Sequence, residues 1–319
     1  LGADSNSAGY FTSGGTESIL MALKAARDQF AQDRGISRPN VVLPSSAHAA
    51  FAKAGAYFGI ELRRTAVKSD WRADVEAMRM AIDENTIMVA CSAPQYPQGV
   101  IDDVPAVAAL ALEMGINCHV DACMGGVSLA YLERLGRSIP SWNFRVPGVT
   151  SMSVDLHKFG YTSKGSSVIM YADKRLRSFQ GFFTDDWLGG MYASSGMLGT
   201  KSGGPIAAAW AVMNHLGDDG YEQLTQQALA ATTRLADHLR NHSSLQLRAE
   251  PDALLLSFGA RDVQKLNVFA IADLLWKKGW YVDRQTPPDS LHCTVNAVHE
   301  SVIEQFIADL DLATAEALR

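Results

Sequence analysis

Short apolar segments alternate with amphipathic helical segments over the first two thirds of the chain. The apolar segments show little polar alternation, as in TIMVACSA at 86–93, which is typical of strands covered by helices on both faces. The order strand, helix, strand predicts βαβ units, and with them an α/β fold with a mostly parallel sheet flanked by helices. Ligands of such folds bind where the strands end, at the carboxyl edge of the sheet. The predicted order is VVLPS (strand), HAAFAKAGAYFG (helix), ELRRTAV (strand), DVEAMRMAIDE (helix), TIMVACSA (strand), VPAVAALALEMG (helix), NCHVDACMGG (strand and turn), GVTSMSVD (strand) and SSVIMYAD (strand).

The pattern changes near residue 205. Two long helical segments, 205–217 and 221–242, are followed by short strand-like segments and two further helices. Because a chain of 319 residues exceeds the usual size of a single core, we expect two domains. The predicted domains are a large α/β domain at 1–215 and a small C-terminal α+β domain at 216–319.

Charge and composition exclude several classes of protein. The net charge is −6 and no run of five Lys or Arg residues occurs, which argues against a nucleic-acid partner. No apolar run reaches the roughly 20 residues that a membrane-spanning helix needs. The four cysteines form no CxxC pair, which favours free thiols and a cytoplasmic protein. Because the chain opens with Leu1 instead of Met, we expect it to be part of a longer protein.

The segment CHVDAC, at 118–123, contains Cys, His and Asp, which are all possible zinc ligands. These residues alternate across a predicted strand, and no second ligand pair is spaced to complete a tetrahedron. We therefore interpret the segment as a buried strand and expect no metal site.

A glycine-rich turn, Ser13 to Thr16, precedes the first long helical segment. The unpaired backbone N–H groups and the dipole of a helix N-terminus favour a phosphate at such a turn. The same residues also fit a simple helix cap followed by Glu17 in the first turn. Taken alone, the turn leaves both interpretations open.

Two charged residues are predicted to share the sheet edge with this turn. Asp121 ends the strand NCHVD, and Lys158 follows His157 in the loop after the strand GVTSMSVD. Alone, Asp121 also fits a helix cap, and Lys158 a surface lysine. Together with a phosphate cradle they are the parts that pyridoxal 5'-phosphate requires. Asp121 would keep the pyridine nitrogen protonated, and Lys158, with its pKa lowered by the site, would form the Schiff base.

Six ordered blocks of the sequence resemble sphingosine-1-phosphate lyase, a family of fold type I pyridoxal-phosphate enzymes related to group II amino-acid decarboxylases. The resemblance covers nearly the whole chain. The blocks are TSGGTESILMA, SAHAAFAKAGAYFG, CSAPQYPQGVID, HVDACMGG, SVDLHKFGYTSKGSSVIMY and TDDWLGGMYASSGMLGTKSGG.

The resemblance implies roles for individual residues. Lys158 matches the Schiff-base lysine, Asp121 the partner of the pyridine nitrogen, and His48 the residue stacked on the cofactor ring. Other residues that match cofactor contacts are Gly15, Thr16, Cys123 and His157, together with Ser202, Gly203 and Gly204, a segment that family dimers lend to the partner's cofactor phosphate. Lys164 matches a lysine near the substrate phosphate, and Tyr192 a tyrosine at the mouth of the active site.

The implied activity is cleavage of the C2–C3 bond of a phosphorylated sphingoid base, giving a long-chain aldehyde and phosphoethanolamine. The family acts as a homodimer, and many members carry an upstream region with a membrane anchor, which does not precede Leu1 here. Two alternatives stay open. One is a group II amino-acid decarboxylase that uses the same Lys158, Asp121 and His48, and the other is a non-catalytic relative that serves dimerisation or lipid sensing.

Overall fold

A seven-stranded sheet forms the centre of the first compact unit of the computed structural model, which describes residues 1–319. The strand order is β1-β7-β6-β5-β4-β2-β3. The neighbours from β3 to β6 are parallel, and β7 is antiparallel to both β6 and β1, so the predicted mostly parallel sheet is confirmed. The strands are β1 (Ala8–Thr12), β2 (Asn40–Pro44), β3 (Glu61–Thr65), β4 (Thr86–Ser92), β5 (Asn117–Asp121), β6 (Ser151–Asp155) and β7 (Ser167–Tyr171).

Helices cover this sheet on both faces. Helix α1 and helix α4 both pack against β4 and β5 without packing against each other, so they lie on opposite faces. This arrangement explains why every residue of β2, β4, β5 and β6 is buried. The helices before residue 180 are α1 (Gly15–Arg34), α2 (Ala50–Phe58), α3 (Val75–Ala81), α4 (Val104–Met114), α5 (Gly125–Arg134) and α6 (Lys174–Ser178).

The helix starts differ in how they are capped. The carboxylates of Asp74 and Asp103 accept backbone N–H groups in the first turns of α3 and α4. Helix α1 instead starts after Gly14, which has no side-chain cap. The first turn of α1 therefore keeps N–H groups that a ligand can use.

A short hairpin and a long helical segment follow the sheet. The hairpin consists of β8 (Phe182–Thr184) and β9 (Tyr192–Ser194). The helical segment α7 (Gly204–Asn241) is interrupted at Gly217, whose φ of 55° and ψ of −170° are not helical.

The second compact unit has its own antiparallel sheet, in the order β10-β11-β13-β12. Leu256, Phe258, Leu275 and Leu310 are fully buried in its core. Its elements are the later part of α7, β10 (Leu245–Leu247), β11 (Leu255–Ala260), α8 (Val268–Lys277), β12 (Asp283–Gln285), β13 (Ser290–Thr294), a 3-10 helix (Ala297–Val302) and α9 (Ile303–Ala317).

The two units are not continuous in sequence. The first comprises residues 1–95, 101–130 and 140–217, and the second comprises 96–100, 131–139 and 218–319. The division at 215/216 remains a sequence-based prediction of domains. No helix in the chain combines the length and the apolar character needed to span a bilayer.

Candidate active site

The candidate site lies at the carboxyl edge of the large sheet, where β5 and β6 end side by side. Asp121 is the last residue of β5 and pairs in register with Ser153 of β6, whose last residue is Asp155. Because the two strands are parallel, their terminal carboxylates point to the same edge. The loop after β6 then brings Lys158 back against Asp155.

Asp121 is held by a buried network of hydrogen bonds. Its Oδ1 accepts the backbone N–H of Cys123 at 3.1 Å and the hydroxyl of Ser153 at 3.0 Å. His119 Nε2 lies 3.3 Å from the same Ser153 hydroxyl, and His119 Nδ1 lies 2.8 Å from Ser151 Oγ. Since Ser153 donates to Asp121, it accepts from Nε2, so Nε2 of His119 carries a proton. Burial lowers the pKa of His119 to about 4, so the ring is neutral near pH 7.

The charge of Asp121 is stabilised despite its burial. Burial raises the pKa of this carboxyl group. The Lys158 ammonium and the hydrogen bonds from Cys123 lower the pKa by a larger amount, so the net pKa is below its ordinary value. A buried carboxylate that stays ionised is suited to hold a proton on a pyridine nitrogen.

Lys158 forms a direct ion pair with Asp155. Its Nζ lies 2.9 Å from Asp155 Oδ2, and the Asp155 side chain is only 2% exposed. Burial lowers the pKa of Lys158, but Cys123, Asp155 and Asp121 raise it by more, so the net pKa is above its ordinary value. Burial also raises the pKa of the Cys123 thiol, which is therefore neutral near pH 7, so the charges that favour the Lys158 ammonium at that pH are those of Asp155 and Asp121. The predicted lowering of the Lys158 pKa did not take into account Asp155, whose carboxylate faces the ammonium and favours its charged form.

The glycine turn before α1 borders the site next to Cys123 and Asp155. A Cβ atom on Gly15 would lie 2.5 Å from Cys123 Sγ and 2.9 Å from each carboxylate oxygen of Asp155. A Cβ on Gly14 would lie 3.5 Å from His157 Cε1. Glycine at position 15 therefore lets the turn pack directly against Cys123 and Asp155, where a side chain would not fit.

Hydrogen bonds fix this turn to the sheet and to a later loop. Ser18 Oγ in the first turns of α1 lies 2.6 Å from Thr12 Oγ1 and 3.0 Å from Ser167 Oγ of β7. The buried Glu17 carboxylate accepts the N–H and hydroxyl of Ser13 at 2.7 Å and the N–H of Met197 at 3.2 Å. Glu17 thus links the turn to the segment after β9.

His157 borders the turn next to Lys158. Its Nδ1 accepts the N–H of Ser166 at 3.1 Å, and its Nε2 lies 3.6 Å from Asp155 Oδ2. Burial lowers the pKa of His157, Asp155 raises it, and the nearby charges of Lys164 and Lys158 lower it further, with a net lowering. The neutral tautomer therefore presents Nε2–H toward the site.

The structure brings together only part of the predicted set. Gly15, Cys123, His157 and Lys158 surround Asp155, and the charges of Asp121 and Lys158 influence each other. The remaining predicted residues are exposed or partly exposed, in loops or at the ends of helices and strands: Thr16, His48, Lys164, Tyr192, Ser202, Gly203 and Gly204.

These outer residues still have defined surroundings. His48 lies between β2 and α2 with Nδ1 accepting the N–H of Ala50 at 3.1 Å. Tyr192 is 40% exposed on β9, with its ring centroid 6.3 Å from that of Phe182. Ser202 Oγ accepts the N–H of Gly204 at 3.3 Å at the start of α7.

Four residues of the site were missed by the sequence argument: Glu17, His119, Ser153 and Asp155. Of these, Asp155 carried a usable signal, because it ends a predicted strand three residues before Lys158. The zinc interpretation of CHVDAC finds no support, since both His119 nitrogens lie within hydrogen-bonding distance of serine hydroxyls.

A group of possible metal ligands occurs in the second unit. His238, His242 and Asp311 place one ligand atom each within 4.8 Å of one another. However, His242 Nδ1 accepts the N–H groups of Ser244 and Leu245 at 3.0 Å, which places the ring proton on Nε2 beside Asp311. A protonated nitrogen cannot ligate a metal, so the group is a hydrogen-bonded cluster.

The site fits pyridoxal phosphate on its own chemistry. It combines an uncapped helix start lined by glycine, an ionised buried carboxylate at Asp121 and a partly buried lysine. Asp155 Oδ1 is also buried without a hydrogen-bond partner. These features supply a phosphate cradle, a partner for the ring nitrogen and an amine.

Comparisons with known proteins agree with this arrangement. The family model described as the pyridoxal-dependent decarboxylase conserved domain matches residues 2–261. Sphingosine-1-phosphate lyase 1 of Rattus norvegicus is 42% identical over 317 residues, which covers 98% of this chain and 55% of the rat protein. A probable L-tyrosine/L-aspartate decarboxylase of Methanothermobacter thermautotrophicus is 32% identical over 310 residues, covering 97% of this chain and 83% of that protein.

Solved structures show the same relationship. Sphingosine-1-phosphate lyase of Burkholderia pseudomallei superimposes with a TM-score of 0.93 at 37% identity, covering 98% of this chain and 71% of that structure. Glutamate decarboxylase of Lactobacillus brevis, at 20% identity and a TM-score of 0.86, shares the fold, with 98% of this chain and 76% of that structure covered. The predicted fold type I architecture is thereby confirmed.

The chain spans about half the length of the rat lyase that it matches. Both comparisons cover 98% of the residues of this chain. The chain belongs to the pyridoxal-dependent decarboxylase family and is a homologue of the sphingosine-1-phosphate lyases.

Proposed function

We propose that the protein containing this chain is a pyridoxal-phosphate-dependent aldehyde-lyase. Its substrate is a phosphorylated sphingoid base such as sphinganine 1-phosphate, which it cleaves between C2 and C3 to a long-chain aldehyde and phosphoethanolamine. The observation that carries the proposal is Lys158, which lies between the charges of Asp121 and Asp155 beside the Gly15 cradle. The 42% identity to a sphingosine-1-phosphate lyase supports the choice of substrate.

Different residues would hold different parts of the cofactor. The backbone of Gly15 and Thr16 at the start of α1 binds the phosphate, and His157 Nε2–H donates beside it. Asp121 would hold a proton on the pyridine nitrogen, and Lys158 Nζ would be the amine that binds the aldehyde group of the cofactor. Bound pyridoxal phosphate supplies an electron sink for the negative charge left on C2 when the bond breaks.

The proton transfers follow from the tautomers. His48 Nδ1 accepts the N–H of Ala50, so its neutral ring carries the proton on Nε2 and acts as a donor at the site. Lys158 Nζ is then the base that takes the 3-hydroxyl proton of the substrate. The exposed Lys164, close enough to influence His157, binds the substrate phosphate as a point charge, and Tyr192 borders the entrance.

A second copy of the chain is part of the proposal. Exposed large apolar side chains are concentrated between residues 182 and 213, and such a concentration is typical of a protein–protein contact surface. A homodimer would cover this surface and bring Ser202, Gly203 and Gly204 to the cofactor phosphate of the partner. The exposed apolar residues are Phe182, Phe183, Trp187, Leu188, Met191, Tyr192, Met197, Leu198, Ile206, Trp210 and Met213.

A cytoplasmic location also belongs to the proposal. All four cysteines are free thiols, and three of them are buried, which fits a reducing compartment.

A matched pair of lysine variants tests the assignment of the cofactor lysine. Lys158→Ala should abolish the visible absorbance of covalently bound pyridoxal phosphate. Lys164→Ala removes the same charge from the same loop and should keep that absorbance while raising KM for the phosphorylated substrate. Visible absorbance that survives in Lys158→Ala would overturn the assignment, and wild-type protein that stays colourless with added cofactor would favour the non-catalytic alternative.

An amino-acid decarboxylase is the second candidate function. It is favoured by the 32% identity to a probable L-tyrosine/L-aspartate decarboxylase, of which this chain covers 83%. The same Lys158, Asp121 and His48 would serve that reaction, so the two functions are separated by the product formed.

A further inference from the structure

We propose that Asp155 is a positioning residue for Lys158. Its carboxylate holds Nζ as an ammonium beside the Gly15 cradle and so sets the pH at which this nitrogen can react with the aldehyde of the cofactor. The inference rests on the proposed role of Lys158 and adds a residue that controls it.

The geometry singles out Asp155 among the acids of the site. Asp155 Oδ2 lies 2.9 Å from Lys158 Nζ, whereas Asp121 influences the lysine through its charge without a direct ion pair. Asp121 Oδ1 is already bonded to Ser153 and to the backbone of Cys123. Asp155 Oδ1 is buried without a hydrogen-bond partner, so this carboxylate has Lys158 as its direct charged partner and His157 slightly farther away.

The position of Asp155 also explains why the ion pair matters for cofactor entry. Both of its oxygens lie 2.9 Å from the point where a Gly15 side chain would begin, so the carboxylate faces the glycine turn that is proposed to hold the phosphate. A carboxylate there repels the incoming phosphate unless the ammonium of Lys158 neutralises it. Asp155 and Lys158 therefore enter the reaction as a pair.

The covalent step requires this pair to change its protonation. The ammonium of Lys158 first gives up one proton, and the free amine then donates its electron pair to the aldehyde carbon. A carbon–nitrogen double bond forms, and the aldehyde oxygen leaves as water with the two remaining amine hydrogens. A neighbouring carboxylate favours the ammonium, so Lys158 loses its proton only at a higher pH.

The pH at which Lys158 Nζ loses its proton depends on all titratable and charged groups near it. Asp155 and Asp121, at the ends of β6 and β5, favour the ammonium, and Cys123 in the turn after β5 is a neutral thiol near pH 7. His157 is adjacent in sequence, and the charge of Lys164 acts on it. Of these groups, Asp155 alone forms the direct ion pair with Lys158.

The experiment measures the rate at which cofactor-free protein takes up pyridoxal phosphate as a function of pH. Asp155→Asn keeps the size of the side chain but removes the charge, so the midpoint of the rate profile should fall by about one pH unit or more, with uptake about tenfold faster below both midpoints. Asp28→Asn is the matched control, because Asp28 also forms a 2.9 Å ion pair with a lysine, Lys24, elsewhere on α1. An Asp155→Asn profile that coincides with those of the wild type and of Asp28→Asn would overturn the proposal.

A second measurement needs no variant at Asp155 and keeps the inference testable if that variant misfolds. Acetylation of the cofactor-free wild type over a range of pH, read by mass spectrometry, gives a titration midpoint for each lysine. Lys158 should titrate above the ordinary lysine value of about 10.4, and a midpoint at or below that value would contradict the role of Asp155. If the wild type takes up no cofactor at all, the proposed function fails, while the acetylation midpoints still decide whether Asp155 holds the ammonium.

Discussion

Replacing Gly15 with alanine tests whether the start of α1 is a cofactor cradle. The added methyl carbon would lie 2.5 Å from Cys123 Sγ and 2.9 Å from both Asp155 oxygens, where ordinary contacts begin at 3.4 Å. The thiol would have to retreat by about 0.9 Å (3.4 − 2.5) and the carboxylate by about 0.5 Å (3.4 − 2.9). Both groups are buried, and overpacking of this kind costs about 1–3 kcal/mol. Because these shifts move Asp155 and the start of α1 at the proposed cradle, affinity for pyridoxal phosphate should fall at least about tenfold, or about 1.4 kcal/mol.

The measurement combines urea unfolding of the cofactor-free protein with titration of pyridoxal phosphate followed by visible absorbance. Gly181→Ala is the matched control, because a Cβ there meets nothing closer than 3.7 Å. Adding Cys123→Ala to Gly15→Ala removes one of the two clashes and should restore part of the lost stability but not the affinity. Wild-type affinity and stability in Gly15→Ala would refute the cradle.

Two further predictions concern stability and assembly. The pKa of His119 is about 4 in the folded state against an ordinary 6.5, so the stability that the neutral ring provides is lost as pH falls from about 6.5 toward 4, by about 3 kcal/mol in total. His119→Asn should therefore show a shallower fall of the unfolding free energy as the pH is lowered. The control variant, at the exposed His215 (His215→Asn), should follow the wild-type curve. Parallel curves for the wild type and both variants would contradict the prediction. Trp210→Asp places a charge on the exposed apolar surface of α7 and should shift the mass measured by light scattering from dimer to monomer. Trp276→Asp, at an exposed tryptophan of the second unit, should leave the mass unchanged, and a monomeric wild type would contradict the dimer.

The sequence was sufficient to predict the layered fold because buried parallel strands have a distinctive pattern. TIMVACSA is mostly apolar, NCHVD follows a helical segment and ends at a turn, and both form buried strands in the expected places. Strand β1 was not predicted, since Ala8–Thr12 is short and contains Gly9, and its pairing with β7 depends on contacts distant in sequence. The prediction therefore failed where strand formation depends on a partner, not on local pattern.

The candidate site could be predicted only in outline. The glycine turn, Asp121 and Lys158 were identified because their types and positions match the needs of one cofactor. The charge state of Lys158 was not, because it depends on a 2.9 Å contact with Asp155 that no spacing rule specifies. Likewise, the protonation of His119 follows from burial and from the direction of one serine hydroxyl, which only the packed structure provides.

The central claim is tested most directly by the products that the complete protein forms. Purified protein with pyridoxal phosphate should convert sphinganine 1-phosphate to a long-chain aldehyde and phosphoethanolamine in equal amounts, and Lys158→Ala should form neither. Under the same conditions a panel of amino acids including tyrosine, aspartate and glutamate should release no carbon dioxide. Carbon dioxide from an amino acid, with no aldehyde from sphinganine 1-phosphate, would contradict the lyase assignment and establish the decarboxylase in its place.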